Sequence, residues 1–352
     1  PAPAVNVYPD PFKRTDLPRG GVLTIGNFDG VHLGHREMLR RVVGRARELD
    51  APSAVLTFDP HPLKVLHPQR APRMIQTFRQ REEAIAELGV DALFVVPFTR
   101  EFASMPAEEF VRDLLGRCLG AREVHVGTGF VFGCGKRGNV DLLSRLGKEC
   151  GIRVVPLDVV SEGDEPVSST RVRSLLEAGN VAEVRRLLGR PYAMEGIISK
   201  GDRMGRKIGF PTINLRSENE LYPRDGVYVT KVLLRSFERT FTCVTNIGRR
   251  PTVYEDYATT VESYILDFSS DVYGEPIRLS FFERLRDEKV FPSMIELTAQ
   301  IRRDVEATRR AGYAVDDGRY IAGVSILAAP VMPRGRVSHA LVIVGLSEQL
   351  RR

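Results

Sequence analysis

The pattern of hydrophobic positions divides the chain into two parts. From residue 21 to 190, short runs rich in β-branched residues alternate with stretches whose apolar residues recur every three or four positions. Such alternation predicts a parallel sheet covered by helices. The predicted strands are Val22–Ile25, Ala54–Phe58, Ala92–Val96, Glu123–Val126 and Arg153–Val160, and the predicted helices are Arg36–Leu49, Gln76–Leu88, Ala107–Leu119 and Asn139–Cys150.

Beyond about residue 190, the apolar runs are strand-like and are separated by turns rich in Gly, Pro and Asp. This pattern of short strands and turns predicts a small antiparallel barrel. A helix is expected from Ser293, a plausible N-cap, to about Arg310. The predicted barrel strands are Met194–Ser199, Val227–Leu234, Phe241–Asn246, Thr260–Leu266 and Ile277–Phe282.

Composition narrows the class of protein. A length of 352 residues favours two domains, and the net charge of +6 suits anionic small molecules such as nucleotides. The arginines are scattered and form no stripe for nucleic acid, and no apolar run could span a bilayer. The four cysteines lack C-x-x-C spacing and no signal peptide is visible, so we expect a cytoplasmic protein with reduced thiols and no membrane or nucleic-acid partner.

A first candidate site comes from four unusual segments, each placed just after a predicted strand. They are Gly26–His35, Asp59–Pro62, Gly127–Asn139 and Ser168–Arg173. Ligands of open α/β sheets bind beyond the carboxyl ends of the strands, so we expect these segments to meet there.

His32 and His35 are three residues apart at a helix start, where two imidazoles and free N–H groups could grip a triphosphate. The alternative is a pair of water-exposed cap histidines. Ser168, Ser169 and Thr170 could cap a helix, with or without phosphate contacts from Arg171 and Arg173. His61 could face a nucleotide or only shape a turn, and no spacing suggests zinc.

A second candidate site is the glycine-rich stretch at residues 196–214, which ends in Pro-Thr-Ile-Asn. Its glycines and neighbouring cationic residues could wrap phosphate oxygens with backbone N–H groups. Thr212 and Asn214 alternate along an extended segment, so both point to one face and could hold Mg²⁺. The alternative is a bulged, twisted strand pair in which glycine only permits unusual backbone angles.

With the His-x-Gly-His and Pro-Thr-x-Asn motifs, residues 1 to about 310 resemble the prokaryotic bifunctional riboflavin kinase/FMN adenylyltransferases. The resemblance implies a Rossmann-like nucleotidyltransferase domain at 1–188, a Greek-key flavokinase β-barrel at 189–310 and an extra tail at 311–352. It also implies phosphorylation of riboflavin to FMN and adenylyl transfer to FMN, with Mg²⁺, ATP, riboflavin and FMN as cofactor and substrates.

Residue roles follow from the same resemblance. Glu262 matches the carboxylate that accepts the proton of the riboflavin hydroxyl; an exposed strand carboxylate is the alternative. The transferase phosphate-binding set is Gly26, Phe28, Asp29, Gly30, His32, Gly34, His35, Ser168, Ser169, Thr170, Arg171 and Arg173. The kinase ATP-binding set is Gly201, Gly205, Lys207, Gly209, Pro211, Thr212 and Asn214. The flavin-binding set is Asp59, His61, Phe130, Phe132, Asn246, Gly248, Arg249, Pro251, Thr252 and Arg286.

The chain departs from the family at two positions. Gly129 and Val131 stand where the family usually carries a carboxylate or amide and often an arginine, so a flavokinase with weak or lost adenylyltransferase activity is an alternative. The tail resembles the last strands of IclR-type effector domains and could form a hairpin, cover an edge or assist homo-oligomer formation. A flavin- or nucleotide-sensing regulator is therefore a further alternative.

Overall fold

The computed structural model describes residues 4–200, 204–250, 258–311, 314–316, 324–331 and 339–346. These residues divide into two compact units. The first comprises the described residues of 1–174 together with 187–189 and 219–221, and the second comprises those of 175–186, 190–218 and 222–352.

The first unit is built on six parallel strands: β1 (Asn6–Pro9), β2 (Val22–Ile25), β3 (Ser53–Asp59), β4 (Ala92–Pro97), β5 (Glu123–Gly127) and β6 (Arg153–Leu157). Their order is β1-β4-β3-β2-β5-β6, and every neighbouring pair is parallel. The order reverses between β2 and β5. In a doubly wound sheet, this reversal opens a crevice at the carboxyl ends of the two strands.

Helices cover both faces of this sheet, as the alternating pattern predicted. Along β3, Val55 packs on one side with residues of α1 and α3, whereas Leu56 packs on the other with residues of Phe110–Cys118 and α6. The helices are α1 (Leu33–Glu48), α2 (Pro62–Leu66), α3 (Phe78–Ala86), α4 (Arg100–Ala103), α5 (Ala107–Glu109) continuing directly into the wider-wound Phe110–Cys118, and α6 (Val140–Glu149).

The segment after β6 differs from the expected long strand. β6 ends at Leu157, and a small hairpin follows, made of β7 (Ser161–Glu162) and β8 (Glu165–Pro166). Two further helices come next, α7 (Ser169–Glu177) and α8 (Val181–Leu188).

The second unit is a closed barrel of six antiparallel strands, in the order β10-β13-β12-β11-β14-β9. β14 returns beside β11, which gives the barrel Greek-key topology. The strands are β9 (Tyr192–Ser199), β10 (Thr212–Ser217), β11 (Gly226–Leu234), β12 (Arg239–Arg250), β13 (Ala258–Ile265) and β14 (Pro276–Arg286). Besides residues of α7 and α8, this unit includes the helices α9 (Met204–Lys207) and α10 (Met294–Ala311).

A row of buried hydroxyl groups identifies the interior of the barrel. Thr245 lies between Thr230 and Ser263, at oxygen–oxygen distances of 2.6 and 2.7 Å, and all three side chains are buried. Because side chains alternate along a strand, Asn246 and Glu262 face the outer surface. Hydrophobic residues of α10 pack on that outer surface.

The described residues of the tail form the strands β15 (Ala314–Asp316), β16 (Val324–Val331) and β17 (His339–Leu346). They form an antiparallel sheet in the order β15-β16-β17.

Candidate active sites

The turn after β2 is held by the carboxylate of Asp29. This buried side chain accepts hydrogen bonds from the backbone N–H groups of Ile75 at 3.0 Å and Gln76 at 3.3 Å, and it pairs with Arg173. Burial raises the pKa of Asp29, while Arg173 and the two N–H groups oppose that rise. Asp29 thus fixes the turn containing Gly26, Phe28 and Gly30, in which Phe28 and Gly30 have positive φ.

The two motif histidines lie together at the start of α1, close to Phe28. His32 is the N-cap, and its Nδ1 accepts the N–H of His35 at 3.4 Å. Their rings stack with centroids 3.7 Å apart, and Phe28 lies 5.0 Å from the ring of His35. A side chain at Gly34 would crowd His32, since an added Cβ would lie 3.3 Å from that ring. His32 is buried, so the water-exposed cap pair is wrong for that residue.

The start of α7 meets the motif turn through two of its predicted residues. The hydroxyl of Ser169 donates to the backbone oxygen of Asp29 at 2.8 Å, and Arg173 pairs with its carboxylate. Ser168 accepts the N–H of Arg171 and so caps the helix. The guanidinium of Arg171 contacts Glu165 of β8. The neighbouring Thr170, also at the helix start, is exposed.

Asp59 is the last residue of β3, and His61 lies just beyond it, beside the same turn. The Nε2 of His61 is 3.2 Å from the Nδ2 of Asn27, and its Nδ1 accepts the N–H of Leu63 at 3.2 Å. The pKa of His61 is lowered to about 4, first by burial and then by nearby cations. The imidazole is therefore neutral at pH 7.

Sequence reasoning missed Arg81 of α3. Its side chain is 4% exposed, and its Nη1 donates to the backbone oxygen of Asn27 at 2.9 Å. A signal was present in the sequence, because Arg81 falls at a helical spacing between Phe78 and Ile85, where the pattern otherwise places apolar residues.

Aromatic rings line the region after β5. Phe130 stacks on Phe132 at 5.5 Å with an interplanar angle of 15°, and Phe132 contacts Phe110 at 5.2 Å. Phe130 is half-buried and leaves part of its ring accessible. Beside it, a Cβ at Gly129 would meet nothing within 4 Å, and Val131 is 47% exposed.

In the barrel, Asn214 of β10 lies directly opposite Glu262 of β13, and Asn246 of β12 lies opposite Glu262 on the other side. Thr212 lies opposite Tyr264. Residues two apart on a strand share a face, so Thr212, Asn214 and Glu262 present their oxygen atoms to one surface. All three are half-buried.

The glycine-rich stretch folds into a short helix and a tight return. Phe210 donates its N–H to the oxygen of Gly205 at 2.8 Å, and a Cβ at Gly205 would lie 2.2 Å from the oxygen of Phe210. Gly209 has a φ of 83°, and Pro211 is exposed at the entry to β10. The predictions for Gly201, Pro251, Thr252 and the side chain of Lys207 lie outside the described residues.

The remaining flavin-binding predictions occupy the ends of β12 and β14. A Cβ at Gly248 would lie 2.1 Å from the carboxylate of Glu288, which also accepts a hydrogen bond from Asn246 at 3.2 Å. Arg249 pairs with Asp225 at 3.1 Å. Arg286 makes a bidentate pair with Asp304, a buried residue of α10 that sequence reasoning missed.

Family profiles match both units of the chain. The profile described as FAD synthetase matches residues 14–171, and the one described as riboflavin kinase matches residues 188–311. A bifunctional riboflavin kinase/FMN adenylyltransferase of Escherichia coli K12 is 40% identical over 291 residues, covering 83% of this chain and 92% of that protein. The chain belongs to this family. The Pseudomonas fluorescens member is 38% identical over 83% of this chain and 93% of that protein.

A solved structure supports the same architecture. The crystal structure of a macrolide-efflux protein from Streptococcus pneumoniae is similar with a TM-score of 0.80 and 30% identity, over 87% of this chain and 99% of that one. Among the described residues of this chain, no helix is both long and apolar enough to cross a membrane. The family and the architecture agree with the resemblance noted from the motifs.

Proposed function

We propose that the chain converts riboflavin to FAD in two ATP-dependent steps at two sites, with domains at 1–188 and 189–310. The observation that supports the proposal is that the FAD synthetase and riboflavin kinase profiles fall on different parts of the chain, the first containing the His-x-Gly-His motif and the second the Pro-Thr-x-Asn motif. The kinase step makes FMN, and the transferase step consumes it.

The kinase step transfers the γ-phosphoryl group of ATP to the terminal hydroxyl of riboflavin. Glu262 accepts the hydroxyl proton as the oxygen attacks phosphorus, and ADP leaves with the electrons of the broken P–O bond. Asn214 and Thr212 supply neutral oxygen ligands beside that carboxylate. Asn246 and Arg286 position the flavin on the outer face of the barrel.

The residues present fit Mg²⁺ bound together with ATP. Thr212 and Asn214 offer hard oxygen atoms on one face of β10, which suits a cation that keeps most of its ligands from phosphate and water. The described residues contain no cluster of three or more His, Cys, Asp or Glu side chains suited to a metal, so a cage built only from such residues is not the fit. When bound, Mg²⁺ would neutralise the charge of the phosphates.

The transferase step joins the FMN phosphate to the α-phosphorus of ATP. A phosphate oxygen of FMN attacks that phosphorus, the bond to the β-phosphate breaks, and pyrophosphate leaves. His32 and His35 lie at the start of α1, where the helix dipole and imidazole N–H groups stabilise charge that develops on the phosphate oxygens. Phe130 offers a ring on which the flavin can stack.

Incubation with riboflavin, ATP and Mg²⁺, followed by chromatography of the flavins, tests this function. FAD is the expected product. FMN alone would indicate a kinase with a lost transferase activity, and flavin or nucleotide binding without turnover would indicate a sensor.

A further inference from the structure

Arg81 places a buried positive charge beside the transferase motif. It projects from α3, and only 3% of the residue is exposed. Burial lowers the pKa of Arg81, but a guanidinium keeps its proton in proteins. The site therefore contains a permanent cation in addition to the residues that the motifs identified.

The contacts of Arg81 compensate its charge only in part, although the guanidinium also lies 5.0 Å from the centroid of the Phe78 ring. Nη1 donates to the backbone oxygen of Asn27, and Nη2 lies 3.7 Å from Asp59, whose side chain is 56% exposed. The buried Nε has no hydrogen-bond partner among the described residues. Because a buried charge is costly without full pairing, structural stabilisation alone is a poor reason for an arginine here.

The hydrogen bonds of His61 show which of its two ring nitrogens carries the proton. Since Nδ1 accepts the N–H of Leu63, the proton of the neutral imidazole lies on Nε2. Nε2 lies 3.2 Å from the amide of Asn27. The amide accepts the Nε2 proton through its oxygen atom when the amide group is flipped. Asn27 thus joins Arg81, through its backbone oxygen, to His61, through its side chain.

The charged groups around His61 favour the same neutral state. Arg173 of α7, Arg81 of α3 and Lys64 of α2 oppose a further positive charge, whereas Glu220 favours one. A neutral imidazole can keep its N–H on the Asn27 amide without titrating near pH 7.

Resting on the proposed transferase function, we propose that Arg81 is a positioning residue for adenylyl transfer. It holds Asn27 through the backbone oxygen, and the amide of Asn27 holds the neutral ring of His61, so that the segment after β3 keeps its place beside the turn after β2. Lysine would retain the charge but could not reproduce the planar contact with the Asn27 oxygen.

The test compares full-length Arg81→Met and Arg81→Lys with Arg79→Met, an exposed position on the same helix. FAD formation from FMN is measured from pH 5 to 8, with riboflavin kinase turnover as the internal control. Arg81→Met should lower kcat/KM for FMN adenylylation by about tenfold to a hundredfold, the scale of a misplaced catalytic geometry. Kinase turnover and the Arg79→Met protein should be unchanged.

Histidine NMR measures the pKa of His61, which should not change if Arg81 only stabilises the fold. The pKa of His61, assigned by its loss in His61→Gln, should rise above about 4 in Arg81→Met, while burial and Arg173 keep it below its ordinary value, and it should stay low in Arg81→Lys. Adenylylation by Arg81→Met should then fall further below pH 6. If Arg81→Met does not fold, Arg81→Lys and Asn27→Ala give the same comparison of rates and ring titration.

A double variant tests whether Arg81 acts through Asn27. In an Asn27→Ala background, Arg81→Met should lower kcat/KM for FMN adenylylation by less than about twofold further. The reason is that the effects of substitutions within one hydrogen-bond network do not add. A full additional loss, or unchanged rates with an unchanged His61 titration, would overturn the proposal. If the wild-type protein fails to make FAD, the proposed function fails, while the NMR titration still decides the link between Arg81 and His61.

Discussion

Asn214 and Glu262 lie directly opposite each other on the neighbouring strands β10 and β13. Directly opposed side chains in an antiparallel pair have Cβ atoms about 5 Å apart. On its other flank Glu262 faces Asn246 of β12, so an amide, a carboxylate and an amide form a row across three strands. The barrel therefore fixes the proposed proton acceptor beside the proposed oxygen ligand, without help from a loop.

Replacement of Glu262 by Gln should lower FMN formation by about a hundredfold or more, because a general base contributes on that scale. Asn214→Ala should have a comparable effect through the loss of a ligand for the phosphates and Mg²⁺. Initial rates of FMN formation measure both. FAD formation from supplied FMN should survive, and Arg216→Ala, an exposed position on β10, should retain both activities. Loss of both activities in Glu262→Gln would contradict separate sites.

His35→Asn should show the reverse result. Removal of the imidazole should lower FAD formation from FMN by about a hundredfold, because it removes electrostatic stabilisation at the attacked phosphorus. His32→Asn should behave similarly while its amide keeps the N-cap of α1. Rates measured with FMN and with riboflavin as separate substrates check this, with Arg40→Ala on the exposed side of α1 as the control. Unchanged rates of adenylylation in both variants would show that neither histidine acts in adenylyl transfer.

The local pattern of hydrophobic residues predicted many of the strands and helices, because these elements have a clear periodicity. Within the predicted helix Arg36–Leu49, the structure buries four apolar residues of α1: Leu39, Val42, Val43 and Ala46. His32 and His35 could be placed together because they are close in sequence at a helix start. β1 was missed, since four residues at the edge of a sheet give too short a pattern.

Contacts between residues far apart in the chain could not be predicted from local sequence patterns. The register that sets Asn214 against Glu262 joins strands far apart in the chain, and no local pattern encodes it. Asp29 was predicted to contact phosphate, yet its carboxylate is bonded to Ile75, Gln76 and Arg173. Only the folded chain shows that this side chain holds neighbouring segments in place.

The open space at Gly129 predicts a gain of function. Because a Cβ there meets nothing, Gly129→Asn can add an amide beside Phe130 without displacing other groups. One added hydrogen bond to the flavin should lower the KM for FMN by about twofold to tenfold. Steady-state kinetics of FAD formation measure the change, and Gly127→Asn, also in open space, is the comparison. A KM that stays the same or rises would show that no flavin atom lies within reach.

The neutral state of His61 predicts a dependence of stability on pH. Its pKa of about 4 lies below the ordinary value of 6.5, so the unfolded chain binds more protons between these values. The contribution of His61 to the free energy of unfolding is therefore fully present above pH 6.5 and is lost as the pH falls toward 4. His61 should account for about 1–2 kcal/mol of this loss, a value reduced because the ring is partly exposed.

Calorimetry at pH 7.5 and pH 5 measures this contribution. The decrease in midpoint temperature should be larger for the wild-type protein than for His61→Gln. Burial also lowers the pKa of His125, but that residue is present in both proteins and its effect cancels. Equal decreases in the two proteins would contradict a low pKa at His61.

Mixing two inactive variants tests the central claim most directly. Glu262→Gln and His35→Asn should each fail to make FAD from riboflavin, for different reasons. An equimolar mixture with ATP and Mg²⁺ should make FAD, because FMN released by His35→Asn diffuses to the intact transferase site of Glu262→Gln. Failure of the mixture, when each protein retains its remaining single activity, would contradict two independent sites that exchange free FMN.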